Sequence, residues 1–467
     1  MGGLFGSVSQ QDCINDLFYG TDYHSHLGTK RAGLAVKNGS DFSRSIHNIE
    51  NDYFRSKFES DLPKLLGNKG IGIISDHDPQ PLIIGSHLGN FAIVTVCKIN
   101  NIDELAAREL QNKRHFSEMS GGEMSPTELV AMLISEKGSF EEGIQYAQES
   151  IKGSCSLLLL TAEGIYAARD KLGRTPIIIG RKESAYAASS ESCAFANLGY
   201  DIDRYLGPGE IVMITEGGCE QKKKPNDKMQ ICSFLWVYYG YPASNYEGIN
   251  VEAVRNKCGW ALAKNDTVEI DFVAGIPDSG IGHAIGYASA RCVPYMRPFV
   301  KYTPTWPRSF MPQNQSIRDL VARMKLIPVR ELIEGQRILF CEDSIVRGTQ
   351  LKDNVQILYD YGAKEVHMRP ACPTLTYPCE FLNFSTSRAT TDLAGRRAIE
   401  QIEGLDDQFL EDYATDGSEK NLAMIDKIRQ RLRLTSLKYQ RLEDLVESIG
   451  QPKERLCTHC WDGSSYF

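Results

Sequence analysis

The chain has 467 residues, more than one hydrophobic core usually fills, so its length predicts two domains. Apolar residues make up 42% and charged residues 24%, as in ordinary globular proteins, and a net charge of −8 without a basic block argues against a nucleic-acid partner. The sequence has no apolar stretch long enough to span a membrane and no basic-then-apolar signal at its start, so we expect a cytoplasmic protein.

The N-terminal half alternates short apolar runs with glycine-rich turns. Residues 1–8 (M-G-G-L-F-G-S-V) form a glycine-flanked strand pattern, and residues 153–214 repeat strand-like runs at close intervals. This pattern is typical of a layered antiparallel sheet with helices outside it, and not of a parallel βαβ sheet. The polar, breaker-rich segment 217–228 predicts a linker. We therefore expect one domain over residues 1–225 and a second over residues 226–467.

Two segments of the C-terminal half place a predicted strand directly before a polar loop. Residues 268–274 run into G-I-P-D-S-G-I-G-H, and the apolar run 338–341 ends at Glu342 and Asp343, before a segment with helical spacing. Such a loop aims backbone N–H groups and a helix N-terminus at one point, which makes an anion site. The carboxylates suit a sugar phosphate, because its hydroxyls need acceptors and a magnesium ion can bridge to its pyrophosphate. The alternative is an ordinary strand-to-helix turn with solvated charges.

The run 337–350 (R-I-L-F-C-E-D-S-I-V-R-G-T-Q) resembles the 5-phosphoribosyl-1-diphosphate (PRPP) loop of the type I phosphoribosyltransferases. Its D-S-I-V-R-G-T part resembles that loop in the amidophosphoribosyltransferase family. Over about the first 215 residues, A-A-R-D-K-L-G-R-T-P, S-S-E-S-C-A-F and P-G-E-I resemble the glutaminase domain of the same family. The resemblance implies an α/β protein, with an N-terminal αββα domain like those of the N-terminal-nucleophile hydrolases. The C-terminal domain would be a type I phosphoribosyltransferase domain with a mainly parallel sheet.

The resemblance also implies roles for the residues at the two strand ends. Glu342 and Asp343 would be the catalytic carboxylates, which hold the ribose hydroxyls and, together with Ser279, a magnesium ion. The substrate-binding positions implied in the second half are Asp278, Ser279, Gly280, Lys301, Arg308, Lys325, Ser344, Arg347, Gly348 and Thr349. Pro304 and Pro307 depart from the family pattern, because they stiffen the loop that is expected to close over PRPP.

The N-terminal half departs from the family at the positions that would hydrolyse glutamine. The family's mature chain begins with a nucleophilic cysteine where this chain has Gly2, and a glycine has no side chain with which to attack an amide. Ile73, Leu88 and Pro126 stand at the positions of the carboxylate clamp, the oxyanion donor and the amine acceptor. Cys13 lies inside the chain, cannot use an α-amine, and suits a buried thiol better than a nucleophile. We expect a domain that keeps its fold and lacks glutaminase activity.

The cysteines do not form the pattern of a secreted disulfide framework. There are thirteen of them, an odd number, and most suit small buried side chains. The C-T-H-C motif near the end fits a redox pair, half a zinc site, or two ligands of an iron–sulfur cluster. One subgroup of the family binds a [4Fe-4S] cluster through four cysteines, and the resemblance implies the same ligands here: Cys232, Cys379, Cys457 and Cys460. Such a cluster would be a structural clamp.

The sequence therefore predicts transfer of an amine to C1 of PRPP, which gives 5-phosphoribosylamine and pyrophosphate for purine biosynthesis. Because Gly2 cannot release ammonia from glutamine, the nitrogen would come from free ammonia or from a separate glutaminase. Two alternatives stay open. One is a non-catalytic PRPP or nucleotide sensor that associates with an active paralogue, and the other is phosphoribosyl transfer to a different acceptor. The resemblance further implies Mg²⁺ as a cofactor, a homotetramer, and inhibition by purine nucleotides.

Overall fold

The computed structural model describes residues 2–39, 41–117, 119–120, 123–264, 266–302, 326–382 and 389–466. In these ranges the chain forms an N-terminal lobe, residues 2–223, and a C-terminal lobe, residues 230–466. Arg308, Lys325, Pro304 and Pro307 lie outside the described residues, so the expectations for them stay predictions.

Two antiparallel sheets lie face to face in the N-terminal lobe. The strands of the first sheet, from edge to edge, are Asp201–Tyr205, Ile178–Lys182, Ala185–Ser189, Gly2–Ser9, Lys69–Ser75, Arg31–Asn38 and Asp41–Asn48. The strands of the second sheet are Gly218–Lys223, Ile211–Thr215, Ile165–Ala168, Gly153–Leu160, Gly89–Ile99 and Leu82–Ser86. Neighbouring strands pair in antiparallel fashion throughout the described parts of both sheets, which confirms the predicted pattern.

Helices cover the outer faces of the two sheets. The helices of this lobe are Ile14–Asp22, Phe54–Phe58, Ile102–Gln111, Pro126–Ile134, Phe140–Ser150 and Cys193–Leu198. Between the sheets, Leu4 and Ile73 of the first belong to one buried core with Leu158 and Ile165 of the second. The side chains of a strand alternate between its two faces, so each sheet can pack against helices on one side and against the other sheet on the opposite side. The result is a stack of four layers in the order helix, sheet, sheet, helix.

The linker predicted over residues 217–228 is wrong for its first part. Gly218–Lys223 pairs with Ile211–Thr215 and forms the edge strand of the second sheet. An edge strand with one face in solvent carries lysine and glutamate side chains, and these residues gave the segment the composition of a linker. The boundary expected at residues 225/226 stays a prediction.

A parallel sheet forms the centre of the C-terminal lobe. Its strands, in spatial order, are Phe272–Gly275, Arg337–Glu342, Glu365–Pro370 and Ser436–Leu437, and the described pairings are all parallel. Residues 338–341 are fully buried because both faces of a parallel sheet are covered. Leu339 and Cys341 belong to the core on one side, and Ile338 and Phe340 to the core on the other. This arrangement confirms the mainly parallel sheet.

Helices cover both faces of the parallel sheet. Val251–Lys264 and Gly280–Arg291 supply the first core, and Thr349–Asp360 and Glu419–Leu432 supply the second. The other helical segments of this lobe are Leu235–Tyr239 (a π-helical turn), Arg330–Ile333, Ala394–Glu403, Leu410–Ala414, Leu442–Ile449 and His459–Asp462, with 3₁₀ turns at Thr390–Asp392 and Lys453–Arg455. One further 3₁₀ turn, Leu62–Lys64, lies in the N-terminal lobe. Along the described part of the chain, no helix is both long and apolar enough to cross a membrane.

Short two-stranded pairings complete the fold. They join Met119–Ser120 with Glu123–Met124, Ile231–Cys232 with Leu456–Cys457, Asn245–Tyr246 with Ile249–Asn250, and Phe299–Lys301 with Leu326–Pro328. The second of these ties the beginning of the C-terminal lobe to its end, because its two strands lie more than two hundred residues apart in the sequence.

A buried carboxylate joins the two lobes. Glu191 of the N-terminal lobe is 1% exposed and accepts hydrogen bonds from the Ser244 and Tyr246 hydroxyls of the C-terminal lobe, at 3.0 and 2.8 Å. The His26 ring also lies 3.0 Å from this carboxylate. Despite its burial, the pKa of Glu191 is lowered, because His26, His24 and the hydroxyl donors favour the charged form. The carboxylate therefore helps to fix how the lobes meet.

The burial of His24 makes stability depend on pH. Its Nδ1 donates to the Gly20 carbonyl oxygen at 2.8 Å, and burial lowers its pKa from 6.5 to about 4. The unfolded chain therefore gains a proton near pH 6.5, whereas the folded chain gains it only near pH 4. We expect a loss of up to roughly 3 kcal/mol in the free energy of unfolding as the pH falls through this window.

Urea unfolding at several pH values between these limits checks this prediction. His24→Gln should lose less stability on acidification than the original chain, because its side chain takes up no proton. The matched control is His87→Gln, an exposed histidine of the same lobe, which should keep the original pH dependence. Equal pH dependence in all three proteins would contradict the prediction.

Candidate functional site

The strand Arg337–Glu342 ends in two adjacent carboxylates at the carboxyl edge of the parallel sheet. Asp343 is buried and accepts hydrogen bonds from the Ser279 and Ser344 hydroxyls, each at 2.5 Å. Its backbone N–H donates to Glu342 Oε1 at 3.2 Å. Burial and the negative charge of Asp343 raise the pKa of Glu342 well above its ordinary value. Two neighbouring carboxylates repel each other, and burial removes water that would stabilise their charge. A bound cation would therefore stabilise the pair.

The loop before the helix Gly280–Arg291 lies against this carboxylate pair. A Cβ at Gly280 would come within 2.4 Å of the Cys341 carbonyl oxygen, so only a glycine lets the helix start this close to the neighbouring strand. Asp278 in the same loop forms an ion pair with Lys301. The structure thus brings the residues predicted for the diphosphate to the edge of the sheet that carries the carboxylates.

The loop after the carboxylate pair leads into the helix Thr349–Asp360. Gly348 caps this helix with a φ of +73°, a conformation that a glycine adopts without strain. The first N–H groups of a helix have no intrahelical partner, so with the nearby hydroxyls they offer donors to an anion. The Arg347 guanidinium lies 3.7 Å from Asp392, and Arg431 donates to the Arg347 carbonyl at 2.8 Å. Side-chain and backbone contacts therefore both hold this loop.

A cavity of about 630 Å³ lies between the lobes at this edge of the sheet, a volume that suits a sugar diphosphate. Its lining includes His26, Lys30, His77, Arg255, Ser279 and Lys301. Arg255 is only 3% exposed and donates to the carbonyl oxygens of Trp236, Tyr238 and Gly240. Burial lowers its pKa, while the negative charge of Asp343 acts in the opposite direction. Sequence reasoning missed Arg255, because it lies inside a helix and belongs to no motif.

A second cavity, of about 210 Å³, lies at the start of the first strand of the N-terminal lobe. Gly2 and Pro126 both line it, so the structure brings these two predicted positions together. A Cβ at Gly2 would come within 2.6 Å of the Ile74 carbonyl oxygen, which leaves no room for a side chain without a shift of the backbone. His77 lines this cavity and also the larger one between the lobes.

The other two predicted glutaminase positions lie elsewhere. Ile73 is buried between the two sheets, and Leu88 lies in a hairpin turn where its N–H donates to Ser86 Oγ. Ser75, two residues beyond Ile73 on the same face of the strand, lines the cavity beside Gly2. Burial raises the pKa of the Cys13 thiol far above its ordinary value, which disfavours the thiolate that a nucleophile needs.

Four cysteines from three segments of the C-terminal lobe converge at one place. Cys232 and Cys457 are direct partners in a short parallel ladder. A hydrogen bond between the Cys460 and Cys379 thiols, together with burial, raises the pKa of Cys460. Burial also raises the pKa of Cys232, and the proximity of Cys457 and Cys379 adds to this rise. None of the thirteen cysteines, all of which the structure describes, forms a disulfide. The structure thus brings the four predicted ligands together, and none of them is in a disulfide.

No group of three or more histidine, cysteine, aspartate or glutamate side chains in the described ranges is arranged to hold a metal ion. Burial and the charge of Asp343 raise the pKa of Glu342, and the contact with Cys379 together with burial raises the pKa of Cys460. A positive side chain acts at each place as well, because Arg255 feels the charge of Asp343 and Arg174 lowers the pKa of Cys457.

The two lobes define the class of the protein. The four-layered N-terminal lobe has the architecture of the N-terminal-nucleophile hydrolases. The parallel sheet of the C-terminal lobe, with its anion loops at the carboxyl edge, has that of the type I phosphoribosyltransferases. A family model described as "Glutamine amidotransferase domain" matches residues 69–197.

Similar proteins match nearly the whole chain. The amidophosphoribosyltransferase of Methanocaldococcus jannaschii is 31% identical over 99% of this chain and 97% of its own length, and that of Bacillus subtilis is 32% identical over 86% and 85%. The solved structure of the B. subtilis glutamine PRPP amidotransferase with ADP and GMP has a TM-score of 0.82 at 28% identity, covering 99% of this chain and 96% of that one. The chain belongs to the amidophosphoribosyltransferase family, and so to the phosphoribosyltransferase class of enzymes, which confirms the resemblance.

The cavity at Gly2 predicts that a cysteine placed there will not restore glutamine hydrolysis. In Gly2→Cys the new Cβ would press on the Ile74 carbonyl oxygen, so the paired strands must shift and stability should fall. Release of glutamate from glutamine measures the activity, and we expect it to stay at background. The matched control is Gly217→Cys, where a Cβ would meet its nearest neighbour at 3.8 Å. Glutamate release by Gly2→Cys above that of the control would contradict the prediction.

Proposed function

We propose that this enzyme joins an amine to C1 of PRPP, releases pyrophosphate and forms 5-phosphoribosylamine, with free ammonia or ammonia from a separate glutaminase as the nitrogen source. The observation that carries the proposal is the pair Glu342 and Asp343, because Asp343 accepts a hydrogen bond from Ser279, a residue that lines the cavity between the lobes. A sugar diphosphate needs acceptors for its hydroxyls and a cation for its phosphates, and this edge of the sheet offers positions for both.

Three groups of residues would hold the substrate. The loop from Asp278 to Gly280 would receive the diphosphate, and Lys301 beside it would add a positive charge. Ser344, Arg347, Gly348 and Thr349 would hold the 5′-phosphate at the helix N-terminus. Arg255 would supply a second positive charge from the buried side of the cavity. This arrangement would hold both charged ends of PRPP, and C1 would then lie near the carboxylates.

The residues present fit a magnesium ion. Glu342, Asp343 and Ser279 would hold it, and an ion bound there would neutralise charge that develops on the departing diphosphate. Magnesium typically binds one or two carboxylates and completes its octahedron with water and substrate phosphates. Three protein ligands in a closed group are therefore not required before the substrate arrives. Burial and the charge of Asp343 raise the pKa of Glu342, so a cation bound there would stabilise the charged form of the pair.

Transfer of a phosphoribosyl group passes through a state in which the sugar carries positive charge, so the chain must stabilise charge and exclude water. Glu342 and Asp343 would orient the ribose through its hydroxyls and face the developing positive charge. Closing the cavity would keep water from competing with the amine. Positioning the amine and the sugar in one cavity removes much of the entropic cost of their encounter.

The N-terminal cavity supports the choice of nitrogen source. Gly2 supplies no nucleophile, and the backbone around it leaves no room for one. Neighbouring Pro126, at the position expected for the amine acceptor, has no side-chain oxygen that could accept a hydrogen bond from the amine of glutamine. Acyl transfer from glutamine needs a nucleophile and an oxyanion donor, and loss of one donor alone typically costs about a hundredfold or more in rate. The lobe would thus serve as a scaffold, and nitrogen would have to arrive as ammonia.

The four cysteines fit a [4Fe-4S] cluster. They form no disulfide and they come from three segments. The neighbouring cysteines add to the rise that burial causes in the pKa values of Cys232 and Cys460. A four-iron cluster keeps its four sulfurs farther apart than a single zinc ion does, so its ligands need not surround one point. The cluster would link the segment at Cys232 to the C-terminal segment at Cys457 and Cys460, and so clamp the lobe. The sulfur-only donor set agrees with iron–sulfur or zinc chemistry.

A pyrophosphate-release assay tests the proposal. With PRPP and Mg²⁺, we expect release with ammonium salts and none above background with glutamine. Between about pH 7 and about pH 9 the rate with ammonium should rise, because only the unprotonated amine attacks. Asp343→Asn should lower kcat/KM about a hundredfold or more, since it removes one carboxylate from the site. Asp353→Asn, an exposed aspartate on the next helix, is the matched control and should keep full activity.

Each contrary outcome points to a different reading. PRPP binding without pyrophosphate release for any acceptor would replace the proposal with a PRPP or nucleotide sensor. Release with a base and not with ammonia would indicate a different acceptor, and glutamine-dependent release would overturn the proposed nitrogen source. A B. subtilis relative was solved with ADP and GMP, so purine nucleotides belong in the assay as candidate inhibitors. A homotetramer is our expectation for the assembly.

A further inference from the structure

Arg174 of the N-terminal lobe lies against the segments that carry the four cysteines, although no role in the proposed function falls to it. It is 1% exposed, in the loop before the strand Ile178–Lys182. Its carbonyl oxygen accepts the Cys232 N–H at 3.1 Å, and its Nη2 donates to Gln230 Oε1 at 3.4 Å. One end of this arginine is therefore fixed to the segment that contains the first cysteine.

The guanidinium reaches the other two cysteine segments. Its Cζ lies 3.7 Å from the centre of the Phe381 ring, two residues beyond Cys379. Burial raises the pKa of the Cys457 thiol, and the His459 N–H together with the charge and side chain of Arg174 opposes this rise, so the guanidinium lies close to Cys457. Nη1 donates to the Gly153 carbonyl at 3.2 Å, which anchors the side chain in its own lobe. A single buried arginine thus contacts all three segments.

The charge of this arginine suits a cluster better than it suits neutral thiols. Removing a guanidinium from water is costly unless negative charge lies close to it. An oxidised [4Fe-4S] core carries a charge of +2, and its four cysteine thiolates would bring the total to −2. A buried positive charge close to one of these sulfurs would offset part of that charge.

We infer that Arg174 is a positioning residue of the cysteine site, which holds the Cys457 sulfur and partly neutralises a bound iron–sulfur cluster. The inference rests on the [4Fe-4S] cluster of the proposed function and adds that the N-terminal lobe controls its electrostatics. Reduction adds one electron from a chemical reductant such as dithionite and takes the total charge from −2 to −3. A guanidinium stabilises the −3 state more than the −2 state, so it makes the cluster easier to reduce.

The experiment compares the full-length chain with three variants, all purified without oxygen. Arg174→Met keeps an unbranched side chain and removes the charge, whereas Arg174→Lys keeps the charge and loses the forked donors. Lys171→Met is the matched control, because it removes one positive charge at an exposed position of the same loop. Iron and sulfide are assayed first, and the midpoint potential is then measured by electron paramagnetic resonance during reduction with dithionite.

We expect about four iron and four sulfide per chain, and a more negative midpoint potential in Arg174→Met. A tenfold change in the equilibrium constant for reduction corresponds to a shift of about 59 mV for one electron. Arg174→Lys should give an intermediate value, and Lys171→Met should match the original chain. If Arg174→Met fails to fold, the Lys variant decides the question, because it must still shift in the negative direction.

The outcomes separate the inference from the function on which it rests. A chain that contains zinc or no metal would remove the cluster, and with it this inference, while the pyrophosphate assay still judges the transferase activity. A cluster with the same potential in every folded variant would overturn the role of Arg174 and leave the cluster in place. A merely structural arginine would change the yield of cluster and not its potential, so that result also contradicts the inference.

Discussion

The arrangement of the C-terminal lobe around its candidate site depends on two neighbouring carboxylates at the end of one buried strand. Glu342 and Asp343 repel each other, and burial adds to the cost of their charge, as the raised pKa of Glu342 records. Hydrogen bonds from Ser279 and Ser344 offset only part of this cost. A site of this kind is stabilised by whatever brings positive charge to it. Gly280 has no Cβ, so the positive N-terminal end of its helix can approach the pair.

The N-terminal lobe has a structural role that does not depend on glutamine hydrolysis. Glu191 ties it to the C-terminal lobe, and Arg174 packs among the cysteine segments. Lys98 Nζ donates to the Cys379 carbonyl at 2.8 Å, and Asn100 Nδ2 to the Glu380 carbonyl at 2.9 Å. Loss of this lobe would therefore disturb the cysteine site and the cavity between the lobes. This gives a physical reason for a lobe without a nucleophile to keep its fold.

Local patterns predicted the elements that surround the carboxylate pair. The apolar run before the charged residues located the strand Arg337–Glu342, because a strand buried on both faces needs such a run. The helical spacing of the apolar residues after it located the helix Thr349–Asp360. The edge strand Gly218–Lys223 escaped prediction, because one solvent-facing side gave it the composition of a linker. The predictions of the two folds rested on the resemblance of motifs more than on hydrophobic periodicity.

Side chains brought together by tertiary structure were harder to predict. Ile73 and Ser75 share one face of a strand, so alternation alone cannot tell which of them reaches the cavity at Gly2. Arg255 carries no local signal, because an arginine inside a helix usually lies in solvent, and only the packing of that helix turns it towards the cavity. The convergence of Cys379 with Cys232 depends on loops whose course the sequence spacing does not encode.

In the proposed function the carboxylate pair binds PRPP together with a divalent cation. Calorimetric titration of the protein with PRPP, with and without Mg²⁺, measures this binding, with Glu342→Gln as a variant that keeps shape and removes charge. We expect binding to weaken at least about tenfold when Mg²⁺ is withheld, and a similar loss in Glu342→Gln that added Mg²⁺ does not repair. Equal affinity for PRPP in all of these conditions, or no binding by the original chain, would contradict it.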